Sequence, residues 1–208
     1  MISGRATNSL QCGGPWCESG SRRVRLPQFI ALVVALLVMS ASCLNAQQSS
    51  PTENQVKSAY LYNFGKFVEW PAKGMTGGEL FTFCVLGDDS FSSTLETTIA
   101  GESINGKKVS VKRVAKPQNV GSCHILFISS SEQSQLKEIL AALDDTSVLT
   151  VSDMPQFTRR GGMIQFVVKA NRVRFDVNLT SAERAGLTLS SQLLKVALNV
   201  KRNPQPGS

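Results

Sequence analysis

Apolar and polar positions change period several times along the chain. Val56, Ala59, Tyr60, Phe64, Phe67 and Val68 recur at three- and four-residue steps, which predicts a helix with that stripe buried and with Tyr62, Gly65, Lys66 and Glu69 outside it. Trp70-Pro71 is expected to end the helix, because a residue before proline is pushed out of the helical region. A glycine-rich loop, AKGMTGGE, follows. Leu80 to Leu86 (LFTFCVL) is then a continuous apolar run of strand length, closed by Gly87, Asp88 and Asp89. Ser90 to Ala100 returns to a helical period through Phe91, Leu95 and Ile99. Ile104-Asn105-Gly106 predicts a turn, and Lys108 to Val114 a strand with one wet face. Cys123 to Ile128 (CHILFI) predicts a buried strand. Ser129 to Ser131 is expected to cap a helix over 132–143, and Val148 to Val151 a short strand.

The last third alternates with period two. Met163 to Val168 and Arg172 to Asn178 predict two strands of a hairpin joined across Lys169-Ala170-Asn171, with Asn171 suited to the left-handed conformation. Thr180 to Ala185 predicts a short helix closed by Gly186, and Ser190 to Val200 a terminal helix with Leu193, Leu194, Ala197 and Leu198 inward. Strands and helices that alternate in this order predict an α/β fold. The expected architecture is three-layer, a mainly parallel sheet with helices on both faces and a C-terminal antiparallel hairpin.

The beginning of the chain reads differently. Arg22, Arg23 and Arg25 precede the apolar run Phe29 to Met39 and the small residues Ser40, Ala41 and Ser42, the pattern of a secretory signal peptide. Cleavage is expected after Ala46; lipidation at Cys43 is disfavoured by Ser40, which stands where leucine is usual. The chain then divides into a signal peptide with an extended n-region (1–46), a flexible lead-in (47–54), one α/β domain (55–200) and a polar tail (201–208). Four arginines against Glu18 in the leader hold three of the seven net positive charges, so the remainder carries +4. Much of that sits on Lys107, Lys108, Lys112, Arg113 and Lys116. A solvated strand face explains this run, with an acidic protein surface or lipid head groups as the other reading. Nucleic acid is not an expected partner of an exported protein.

Export also simplifies the cysteines. Only Cys84 and Cys123 follow Ala46, and an even pair in an oxidising compartment points to one disulfide; two buried thiols in neighbouring strands are the alternative. No second histidine or cysteine pair completes a tetrahedral metal site. Catalytic patterns fail one by one. Asp88 and Asp89 resemble a phosphorylation receiver's acidic pair, but CHILFI ends in serines where the acceptor aspartate belongs. His124 and Cys123 are adjacent strand residues and point to opposite faces, so they make no nucleophile pair. Gly161-Gly162 after Arg159-Arg160 matches no phosphate loop, and no serine stands in a nucleophile elbow. No acid, base and nucleophile assemble, which argues against an enzyme. Tyr62 and Trp70, off the predicted stripe, are candidates for a partner-binding surface.

Six segments in order, VKSAYLYNFGKFVEWP, FCVLGDDSF, GSCHILFIS, VLTVSDMPQF with RRGGMIQFVV, VRFDVNL and AGLTLSSQLLKVA, resemble the YfiR-like periplasmic proteins. One departure is Gln156, where that family more often has glycine. The resemblance implies a three-layer α/β domain that forms a homodimer, needs no cofactor and lacks a catalytic site. It implies a repressor of an inner-membrane diguanylate cyclase, acting on the cyclase's periplasmic domain and lowering cyclic di-GMP. An outer-membrane peptidoglycan-binding lipoprotein would release it. Cys84 and Cys123 match the family's disulfide positions. On this reading Tyr62, Trp70, Arg159 and Arg160 are the candidate partner-binding residues, since aromatic side chains and arginine dominate hot spots. The alternative function is a periplasmic small-molecule receptor feeding another membrane sensor such as a histidine kinase, using the crevice at the strand ends.

Overall fold

The computed structural model describes residues 50–71, 79–87 and 90–202. The expected signal peptide, most of the glycine-rich loop, Asp88-Asp89 and most of the polar tail lie outside the described residues.

The first described helix, α1 (Glu53–Phe67), starts from a capping box: the Thr52 hydroxyl accepts from Gln55 N–H while Gln55 Oε1 accepts from Thr52 N–H. It ends at Phe67, and Val68–Glu69 forms a two-residue strand, β1. The chain continues through β2 (Leu80–Leu86), α2 (Ser90–Thr98), β3 (Ser103–Ile104), β4 (Lys107–Val114) and β5 (Ile125–Ile128). After a 3-10 segment at Ser130–Gln135 come α3 (Leu136–Ala141), β6 (Leu149–Ser152), β7 (Ile164–Lys169) and β8 (Arg172–Asn178). The last elements are α4 (Leu179–Arg184), β9 (Thr188–Leu189), α5 (Ser191–Val196) and β10 (Asn199–Lys201).

Among the described residues eight strands form one sheet in the order β10-β8-β7-β6-β5-β2-β4-β3. Pairing is parallel except at β7–β8 and β3–β4. This is the predicted α/β architecture with its C-terminal hairpin. β2 lies between β4 and β5, so both of its edges are paired, and core packs on both of its faces, which accounts for its run of six buried residues. Phe81, Phe83 and Val85 join Leu61 and Phe64 of α1, Leu95 of α2 and Leu193 of α5 in the larger core cluster. Cys84 and Leu86 face the other way, into a smaller cluster with Leu136 and Ile139 of α3 and with Met154 and Phe157. Helices therefore cover both faces, α3 alone among the described ones on the second.

Several sequence expectations are corrected. The buried side of α1 consists of Lys57, Ser58, Leu61, Phe64 and Gly65, whereas Ala59 is exposed and Phe67 is 36% exposed. The stripe is rotated by about one residue because two unlikely residues occupy it. Gly65 lets the helix press against the sheet, since a Cβ there would lie 2.5 Å from Ile104 Cδ1 and 3.2 Å from the Phe81 ring. Lys57 is buried because carboxylates meet it. The helix expected over 132–143 opens as a 3-10 turn with Ser129 as the N-cap, its serines competing with the helix through local side-chain bonds to the backbone. The terminal helix stops at Val196, not Val200. Ala197 turns extended, Leu198 N–H donates to Phe175 O at 2.8 Å, and β10 then pairs in parallel with β8. β1 and β9 form a small antiparallel ribbon, Val68 opposite Leu189, too short for any periodicity to announce.

Two turns carry residues in the left-handed region. The β7–β8 hairpin has a two-residue loop, with Lys169 paired to Arg172 and both Ala170 (φ 48°) and Asn171 (φ 57°) left-handed. Gln156 has φ 62° in the turn after β6, and its carbonyl accepts from Arg159 and Arg160 N–H. Glycine is the residue such a position favours. Ala170→Gly and Gln156→Gly are each expected to raise stability by about 0.5–1 kcal/mol, read as a higher urea midpoint at unchanged slope.

Candidate partner-binding surface

The four residues singled out as partner-binding fall in separate places. Tyr62 is half-buried on α1, and its hydroxyl donates to Glu102 Oε2 at 2.6 Å, with Ser103 O at 3.2 Å. The bond to Glu102 raises the phenol above its ordinary value. Lys66 Nζ sits 5.2 Å over the Tyr62 ring. Tyr62 thus ties α1 to the start of β3. Trp70 packs edge-on against Phe81 at 5.3 Å and His124 at 6.0 Å. Neither ring is a free aromatic, and both pack on the larger core cluster. Arg159 and Arg160 are exposed, and Arg160 Nη2 donates to Gln133 O at 3.1 Å, on the side of the sheet that carries α3. The structure does not bring the two pairs together.

His124 occupies a structural position with one loose end. It is 7% exposed and stacks on Phe81 at 4.4 Å. Its Nδ1 accepts from Thr82 N–H at 3.1 Å, which puts the proton of the neutral ring on Nε2. Both His124 Nε2 and the neighbouring Trp70 Nε1 are buried without a partner. Burial first, and Lys107 second, hold the imidazole below its usual pKa of 6.5. A base with a lowered folded pKa binds fewer protons folded than unfolded. Its stabilisation is therefore present above the unfolded value and lost as pH falls through the folded one. Urea midpoints measured from about pH 7 to pH 5 are expected to fall less in His124→Gln than in the wild type.

A continuous apolar surface lies elsewhere, and the sequence pattern half-announced it. Tyr60, Phe64 and Phe67 of α1, Phe175 of β8, and Leu193 and Val196 of α5 line a groove of about 320 Å³, with Asn63 and Gln192 at its polar margin. Tyr60, Phe64, Phe166 and Phe175 form a ring cluster with centroids 5.0–6.0 Å apart. Phe67 and Val196 stand 36% and 55% exposed at the lip. Three residues of the predicted helical stripe, Tyr60, Phe64 and Phe67, thus border the groove. Phe64 is buried at the groove's floor, whereas the apolar side chain of Phe67 is spent on the open lip, and Lys57 and Gly65 face inward. No feature of the sequence marked α5 as the opposite wall, because it was expected to run on as a longer buried helix.

A disulfide joins Cys84 of β2 to Cys123 just ahead of β5, with Cα atoms 5.8 Å apart. The groove and the disulfide belong to opposite faces of the sheet. The groove supplies shape and apolar contact but no titratable pair, and no group of three or more potential metal ligands occurs among the described residues.

The sequence matches the family described as YfiR/HmsC-like over residues 54–198. Among solved structures, a conserved domain protein from Vibrio cholerae O1 biovar El Tor is similar with a TM-score of 0.53 at 12% identity, over 74% of this chain and 62% of that one. The chain thus spans less than two thirds of that protein, and the likeness bears on the fold alone. An ABC domain in complex with L-Trp from Streptococcus pneumonia reaches a TM-score of 0.43 at 12% identity, over 58% of this chain and 55% of that one.

Proposed function

The chain belongs to the YfiR/HmsC-like family, and from that membership we propose that it is a periplasmic regulatory binding protein, not an enzyme. In this reading it represses an inner-membrane diguanylate cyclase by binding the cyclase's periplasmic sensor domain, and an outer-membrane peptidoglycan-binding lipoprotein draws it away. The observation that carries the reading is the extent of the family match, residues 54–198, which spans nearly every described element.

The mechanism is a shift of populations. A repressor that binds the inactive cyclase more tightly than the active one by about 2.7 kcal/mol moves an even equilibrium to roughly 1 in 100 active. The groove between α1 and α5 is the surface best suited to supply that difference, because Phe67 and Val196 offer apolar area at its lip without belonging to the packed core. Deleting the gene is expected to raise cyclic di-GMP, and restoring it to lower the level again. An unchanged level in the deletion strain sinks the reading. Phe67→Glu and Val196→Glu are each expected to leave folding intact, by unchanged circular dichroism, while weakening binding to the cyclase's periplasmic domain by about tenfold or more. Wild-type affinity in both variants would move the interface elsewhere.

A second reading, a small-molecule receptor for another membrane sensor, is favoured by one observation. The groove's volume and aromatic walls suit a small apolar ligand. Protection of Phe67 and Val196 resonances by a small molecule, with no effect of deletion on cyclic di-GMP, would support it.

A further inference from the structure

The basic run of the sequence has a definite place in the fold. Lys107, Lys108, Lys112 and Arg113 lie on β4 and Lys116 just beyond it. β4 is nearly an open edge of the sheet. On one side β2 pairs with it from Lys108 to Val114. On the other, β3 meets only Lys107 and Lys108, and the bond from Val109 N–H to Glu102 O at 3.3 Å is the outermost contact. Backbone groups of a strand alternate in direction, so Val111, like Val109, turns its N–H and C=O outward. Among the described residues nothing bonds to the Val111 backbone on that side.

Side chains on β4 alternate as well. Val109 and Val111 pack beside the larger core cluster. Ser110 points to the other face, where its hydroxyl lies 3.2 Å from Thr82 Oγ1, so Lys108 and Lys112 share that face. Both lysines are exposed, and no ion pair holds them among the described residues. The edge therefore offers backbone hydrogen bonds, two half-buried valines on one face and two unpaired cations on the other.

We propose that the outer edge of β4 takes up an extended acidic segment of a partner protein as an added strand. Its backbone pairs with the Val109 C=O and with the N–H and C=O of Val111, its acidic side chains lie alongside Lys108 and Lys112, and its apolar ones lie beside the valines. A second copy of this chain is disfavoured in the register that sets Val109 of one copy against Val111 of the other. An antiparallel β4–β4 pair centred on Ser110 sets Lys108 directly across from Lys112, and like charges in register repel. A lipid surface would satisfy the lysines but not the backbone. The proposal stands apart from the cyclase reading, since the edge and its charges carry it whichever protein supplies the segment.

The test uses a labelled short peptide alternating valine and glutamate, its fluorescence anisotropy followed with the purified full chain. Saturable binding is expected, weakening as salt rises and falling by about tenfold in Lys108→Glu/Lys112→Glu. Val111→Pro removes an outward N–H without touching the ladder to β2 and is expected to weaken binding likewise. Should that variant not fold, the same peptide N-methylated at alternate residues tests the backbone bonds on the unmodified protein. A valine–lysine peptide is expected not to bind. Equal binding of the N-methylated peptide, or binding of phosphatidylglycerol vesicles through the same lysines with none of the acidic peptide, overturns the proposal. Lack of any peptide binding also overturns it and leaves the lysines as guards of an idle edge.

Discussion

Replacing Cys84 and Cys123 together by alanine is expected to lower stability by about 4 kcal/mol, because the bond closes a loop of 39 residues of sequence separation. That is a large part of the 5–15 kcal/mol typical of a domain. The corresponding fall in melting temperature is roughly 8–16 °C. The bond spans two strands that are already neighbours, with Cys84 opposite Leu126 and Cys123 two residues before β5. It therefore adds little native contact and acts mainly on the unfolded chain. Reduction of the wild type is expected to give nearly the same loss as the double variant. Migration in electrophoresis is expected to be slower reduced than oxidised. A loss below about 1 kcal/mol in both measurements would show that the β2–β5 pairing persists in the unfolded ensemble.

Lys57→Met is the next largest. Lys57 is 5% exposed, with Nζ 2.8 Å from Asp153 Oδ2 and 2.7 Å from Glu53 Oε1. Burial works against the ammonium, but the bonds to Asp153 and Glu53 more than offset it and leave the pKa above 10.5. Methionine keeps the stem's packing and strands Asp153, whose Oδ1 is already buried without a partner. A loss of about 2–4 kcal/mol is expected. Glu53 is 52% exposed on its side chain, so Glu53→Gln should cost less than about 0.5 kcal/mol. A raised lysine pKa stabilises the fold below the unfolded value of 10.5, and that contribution is lost as pH rises through the folded one. The gap in urea midpoint between wild type and Lys57→Met is therefore expected to narrow above about pH 10.5. A gap that stays constant would assign the loss to packing.

These two sites illustrate what was legible in the sequence. β2, β5 and β6 declared themselves as apolar runs because strands buried on both faces need no alternation. The hairpin of β7 and β8 was visible through its period of two, and the disulfide through an even cysteine count. Lys57 was invisible, since Glu53 four residues before it suggests no more than a surface pair and the other partner, Asp153, lies 96 residues away. Gly65 misled for a related reason: close approach selects the absence of a side chain, which a hydrophobic stripe counts as polar. Phe67 misled in the other direction, an apolar residue spent on the surface. β1, β9 and β10 hold two or three residues each, fewer than any periodicity needs. At the candidate surface, Tyr62 and Trp70 drew attention by composition, whereas the groove walls could be recognised only once α1 and α5 stood side by side.

The ring cluster behind the groove also sets an order of events when the chain is made. Tyr60 and Phe64 emerge from the ribosome early, yet their partners Phe166 and Phe175 follow about a hundred residues later, and β1 waits longer still for β9. The helix can dock early on α2, β2 and β3, but its ring cluster is completed only when almost the whole domain has been synthesised. Through that interval Tyr60 and Phe64 lack those ring partners, which makes this helix a segment a chaperone would be expected to hold.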